Sequence, residues 1–157
     1  KTMLGWVIHP PCLYWTIRQY WERYHIPVMV TENGMANPDT VGADGMVHDK
    51  IRCDFIDSFL SGVKRAAEEG IPVLGYQHWS IMDNFEWCEG YTPRFGLIHI
   101  DYKTQKRTLK VIVYRNISRN EPMSPSFLYL PMTSSSISLI ASSTFSSLSL
   151  IICVSSK

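Results

Sequence analysis

Apolar residues recur along the first two-thirds of the chain in alternating rhythms. In CLYWTIRQYWERYH (residues 12–25), Leu13, Ile17, Tyr20, Trp21 and Tyr24 fall at helical spacing. Pro27 bars the helix from continuing, and PVMVT is a short apolar run that predicts a strand. Residues 36–49, ANPDTVGADGMVHD, carry Asn-Pro, Pro-Asp and Asp-Gly and predict a long surface loop. In KIRCDFIDSFLSGVKRAAEEG, Ile51, Phe55, Phe59, Val63 and Ala67 repeat at i+4, Ile56 and Leu60 widen the stripe, and Gly70 is a fitting stop. IPVLGYQHW predicts a second strand. Helix, strand, helix, strand in that order implies parallel strands joined by right-handed crossovers, an α/β architecture.

Near residue 110 the pattern breaks. Residues 1–110 hold three serines and all five tryptophans, whereas residues 111–157 hold fourteen serines and no tryptophan. From Pro122 to Ser156 there is no charge, and SSSISLIASSTFSSLSLIICV shows neither a period of 2 nor one of 3.6. We therefore divide the chain into residues 1–110 and a divergent serine-rich tail, 111–157. The stretch from Ser134 to Val154 is long enough for a membrane span, but nine of its residues are serine and no aromatic belt or basic flank precedes it, so a span is not expected.

Composition narrows the function. With 45% hydrophobic residues, 18% charged residues and a net charge of +1, the chain has the profile of a soluble domain with no electrostatic case for nucleic acid. Four scattered cysteines form no C-x-x-C, and the five histidines include no i, i+3 or i, i+4 pair; neither a disulfide framework nor a metal site is expected, and no cofactor. Lys1 leads directly into MLGWVIHPP with no leader peptide in view, which tilts the compartment toward the cytoplasm without fixing it. The oligomeric state is not legible.

Chemistry gathers at the strand ends. The first strand runs into Thr31-Glu32-Asn33-Gly34, the second into Gln77-His78-Trp79 and SIMDNFEWCEGYTPRFG. Parallel α/β folds bind ligands beyond the carboxyl ends of their strands, so both segments should face one cleft. Carboxylates beside tryptophans suit a sugar: hydroxyls donate to carboxylate oxygens, and the C–H face of a pyranose stacks on indole. Glu32 is thus a candidate nucleophile, with Trp79, Glu86 and Trp87 as a candidate platform. A glutamate at a strand end is more often a solvated turn residue, and Asp83 and Asn84 read as loop-fixing Asx residues.

VTENGM, followed after some fifty residues by GYQHWSIMDNFEWCEGYTPRFGLIHIDYKTQKRT, resembles the C-terminal part of glycoside hydrolase family 1, the β-glucosidase and β-galactosidase family; the resemblance runs from Gly5 to Lys110. It implies strands 7 and 8, with their helices, of a (β/α)₈ TIM barrel left incomplete in this chain, and an enzyme acting on β-glycosides with retention through a covalent glycosyl-enzyme. It further implies Glu32 as nucleophile, Trp79 stacking on the sugar, Glu86 accepting from the 4- and 6-hydroxyls, Trp87 donating to the 3-hydroxyl, and Phe95 lining the pocket near C6. Members that act on 6-phosphosugars replace the glutamate at position 86, so an unphosphorylated β-glycoside is the expected partner.

The chain also departs from the family. The acid/base glutamate of a T-x-N-E-P motif is missing, since the sole Asn-Glu-Pro, Asn120–Pro122, lies in the tail. The polar residues of strands 1 to 4 are missing too, and a full barrel needs about 250 residues. The expectation is a fragment that is itself inactive. The alternatives are a non-catalytic relative that binds carbohydrate or protein, and a non-functional remnant.

Overall fold

The computed structural model describes residues 1–113; most of the serine-rich tail, with its candidate span and Asn120–Pro122, lies outside the described residues. In chain order these form α1 (Pro11–Tyr24), β1 (Val28–Asn33), α2 (Lys50–Glu68), β2 (Val73–His78), a 3₁₀ turn (Trp87–Glu89), β3 (Ile98–Ile100) and β4 (Arg107–Leu109). No helix among the described residues is long and apolar enough to cross a membrane.

Pro11 opens α1, where its missing N–H costs nothing, and His25 closes the helix at φ 52° with its N–H on the Trp21 carbonyl. The buried face is Leu13, Tyr14 and Ile17. Tyr20 and Tyr24, expected on that face, instead stack on each other at 5.9 Å in the solvent. The i+4 series in α2 is corrected in the same way. Each step of four residues drifts about 40° round the helix, so Ile51 and Ala67 at its two ends are exposed. The buried stripe runs instead through Arg52, Cys53, Phe55, Ile56, Phe59, Val63 and Ala66.

β1 and β2 pair in parallel, as the alternation predicts, and Val28, Val30 and Tyr76 join the helices' apolar residues in one core. Both helices therefore cover the same face of the sheet. Ile112, just beyond β4, closes this core, and its N–H donates to Asp49 Oδ1 at 3.0 Å. The hairpin of β3 and β4 pairs Ile98 with Leu109 and Ile100 with Arg107; its turn is built on Asp101, whose Oδ1 accepts the Lys103 and Thr104 N–H groups. The sequence pattern does not predict this hairpin, because three-residue strands are too short to show a period. The described strands form two two-stranded sheets and do not close into a barrel.

Candidate active site

The orientation of Glu32 follows from a flaw in the strand register. Val30 pairs with Tyr76, but the next pair is Asn33 with His78: three steps on β1 match two on β2. In a regular strand Val28, Val30 and residue 32 would share a face, and Glu32 would point at the helices. The extra residue restores Asn33 to the helix-facing side, where its Oδ1 accepts the Tyr76 hydroxyl at 2.8 Å. Glu32 is thereby turned to the opposite face, on the side of Gln77, where it stays half-buried. β1 also runs through Asn33, so Glu32 sits within the strand's last turn of pleat and not past its end.

Backbone contacts bring β2's continuation against Asn33 and Gly34, the residues that follow Glu32. The Trp79 N–H donates to the Asn33 carbonyl at 3.0 Å, and a Cβ on Gly34 would stand only 1.8 Å from the Trp79 carbonyl oxygen. Only glycine fits there. From Trp79 a chain of polar groups leads to Glu86. The Ser80 hydroxyl donates to the Met82 carbonyl (2.7 Å) and to Asn84 Oδ1 (3.2 Å), and Asn84 Nδ2 donates to Glu86 Oε2 (2.8 Å). Trp87 follows in a left-handed conformation, φ 47°, with 81% of its surface exposed. A large apolar side chain held outward by a strained backbone is a feature that packing does not explain. Phe95 is buried, packs on Trp6 at 6.1 Å, and takes the Ser80 N–H on its carbonyl at 3.5 Å. Of the five residues read from the sequence, Trp79 is bonded through its backbone to Asn33, next to Glu32, and Glu86 is linked through Asn84 to Ser80, next to Trp79. Trp87 faces solvent, while Phe95 lies beneath the loop. A separate cavity of about 490 Å³, lined by Val41, Arg94, His99, Tyr102 and Lys106 among others, contains none of them.

Beneath the loop lies a group of six ionised side chains that sequence reading missed. Arg52 donates to Asp39 (2.7 Å) and Asp49 (3.0 Å), Lys110 to Asp39 and to Asp83 (2.8 Å), and Arg94 to Asp83 (3.1 Å). Arg52, Asp49 and Lys110 have no exposed surface. Three cations balance three carboxylates, as burial requires. Burial works against the Asp39 carboxylate, but Arg52 and Lys110 outweigh it and hold the group below the usual carboxylate range. Asp83 also accepts the Gly96 and Ile100 N–H groups. The Asx reading of Asp83 is therefore corrected: it anchors the loop to β3 and Lys110, at long range. A Cβ on Gly96 would lie 2.2 Å from the Asp83 nitrogen, so this approach also demands glycine.

His78 stands against this group with neither ring nitrogen in a hydrogen bond of normal geometry. Burial first, and then the Arg52 charge, push its pKa down to about 3, against a smaller opposing pull from the Phe95 and Asn33 carbonyls. Below pH 6.5 the unfolded chain takes up a proton that the folded one refuses, so acidification destabilises the fold until the folded pKa is reached. Urea unfolding should show a loss of about 2 kcal/mol between pH 6.5 and pH 5, absent in His78→Gln. Equal slopes in the two proteins would exclude His78 as the cause.

Residues 1–121 match the sequence profile of Glycosyl hydrolase family 1. The chain is 45% identical over 123 residues to β-glucosidase A of Thermotoga maritima, covering 76% of this chain and 28% of that enzyme. It is 51% identical over 114 residues to a bifunctional β-D-glucosidase/β-D-fucosidase of Bifidobacterium breve, covering 69% and 25%. In three dimensions it superposes on the family 1 β-glucosidase of T. maritima in complex with isofagomine lactam with a TM-score of 0.73 at 45% identity, over 76% of this chain and 28% of that one. The chain thus spans little more than a quarter of the length of these relatives, and its unclosed strands correspond to part of their TIM barrel.

Proposed function

The chain belongs to Glycosyl hydrolase family 1, and we propose that it supplies the nucleophile half of a retaining β-glycosidase acting on unphosphorylated β-D-glycosides. What supports this reading is the register irregularity between Val30 and Asn33, after which strand alternation turns Glu32 away from the core, together with the Trp79 N–H on the carbonyl of the adjoining Asn33. In the proposed reaction Glu32 attacks the anomeric carbon, the aglycone oxygen leaves with a proton from an acid on another segment, and water then hydrolyses the glycosyl ester. Trp79 supplies the stacking surface. Glu86 accepts sugar hydroxyls and Trp87 donates its indole N–H. Phe95, beneath the loop, backs the region around C6.

Such a reaction needs a second carboxyl group about 5–5.5 Å from the first. The family resemblance puts it in a T-x-N-E-P motif that this chain does not carry. The isolated chain is therefore expected to bind sugar weakly and not to cleave it. The full chain should be co-expressed with the part of T. maritima β-glucosidase A that precedes the matched segment. Alone, the chain should leave p-nitrophenyl β-D-glucoside intact; the co-purified assembly should hydrolyse it. An assembly that forms but releases no nitrophenol would overturn the catalytic reading and leave sugar binding as the function. Enzyme-like turnover by the chain alone would overturn the assignment of the acid to another segment.

A further inference from the structure

Glu86 has two carboxylate oxygens, and the protein treats them differently. Oε2 accepts the Asn84 side-chain N–H at 2.8 Å, while Oε1 carries no hydrogen bond among the described residues. Asn84 is itself held on every side. Its Oδ1 accepts the Ser80 hydroxyl (3.2 Å), its Nδ2 also reaches the Phe85 carbonyl (3.2 Å), and its own carbonyl accepts the Tyr102 hydroxyl (3.1 Å). The Glu86 carboxylate and the Phe85 carbonyl decide which end of the amide is which: both can only accept, so the nitrogen must face them and the oxygen lies toward Ser80. Ser80 lies two residues beyond β2, so the oxygen end of the amide meets the segment that carries Trp79. Tyr102 ties the same residue to the β3–β4 hairpin.

We propose that Asn84 is a positioning residue: it ties Glu86 Oε2 and thereby presents Oε1 alone, at a fixed rotation, to the sugar. This rests on the reading of Glu86 as a sugar-binding residue and adds what makes that binding selective. A freely rotating carboxylate would accept hydroxyls in several arrangements; one with a tethered oxygen accepts along a single direction. Asn84 touches no substrate. Its effect is on recognition through Glu86, felt in KM for sugars that use that contact.

Two measurements test this. In the ¹⁵N-labelled full chain, the Asn84 side-chain amide signals should shift when Glu86 is changed to Gln and should be little changed by Glu89→Gln. Asn84 signals unmoved by Glu86→Gln would sink the proposal with no assay of activity. In the co-purified assembly, Asn84→Ala should raise KM for p-nitrophenyl β-D-glucoside about tenfold, with kcat nearly kept and with little change for the 4-deoxy analogue. Asn84→Asp separates positioning from mere loop shape. It keeps the size and the acceptor for Ser80 but sets a carboxylate against Glu86, so its KM should be at least as poor as that of Asn84→Ala and should improve as pH falls. An Asp variant with parental KM, or losses equal for both substrates, would overturn the role. If Glu86→Gln itself leaves KM unchanged, the sugar-binding reading of Glu86 fails instead, and the two failures are told apart.

Discussion

Glu32→Ala in the co-purified assembly should lower kcat on the order of 10⁵-fold, the scale of loss when a covalent nucleophile is removed from a working site. Melting temperature should hardly move, because Glu32 is half-buried on the face away from the helices and is not in the apolar core. Truncation to alanine opens room below the anomeric carbon. Azide entering there can attack the same face that Glu32 attacks, forming the C–N bond as the activated aglycone leaves with its electron pair. With only one displacement the product is a glycosyl azide of inverted configuration, whereas two displacements retain it. Polarimetry or NMR of the product distinguishes the outcomes. Undiminished turnover in Glu32→Ala would end the nucleophile assignment.

Breaking the buried ion group should have the largest effect on stability. Lys110→Met leaves Asp39 and Asp83 facing each other's region with one cation too few, in a place without solvent. Removing one member of a buried network typically costs about 3–5 kcal/mol, a large part of the stability of a domain this size. Asp39→Leu added to Lys110→Met should recover most of that loss. What remains are two neutral pairs, Arg52 with Asp49 and Arg94 with Asp83. Urea midpoints of the single and double variants measure this directly. A double variant as unstable as Lys110→Met alone would show that charge balance is not what the group maintains.

What could be read in the sequence was local. Pro27, the apolar runs and the Asn-Pro and Asp-Gly pairs placed both helices, both parallel strands and the intervening loop within a few residues of where they lie. The strand-end position of Glu32 and Trp79 was legible for the same reason. The rest depends on distance along the chain. Lys110 and Asp39 are 71 residues apart, and nothing near either announces a buried charge. Arg52 lies on a helix whose neighbours Lys50 and Asp54 are ordinary surface residues, paired with each other in solvent. The three-for-two register on β1 exists only with β2 alongside. Asn84 was readable as a hydrogen-bonding residue, but its partner was not: an Asx turn and a tether on Glu86 share the same short spacing.

The Lys110 pairs also impose an order of events during synthesis. Arg52 follows Asp39 by 13 residues, so that pair can close early. Lys110 is translated 71 residues after Asp39 and 27 after Asp83. At about 5–20 residues per second, the ribosome needs roughly 4–14 seconds to carry the chain from the first of these aspartates to the lysine. Until then the Trp79–Phe95 loop lacks its deepest anchor, and among the described residues it is the last segment to be locked.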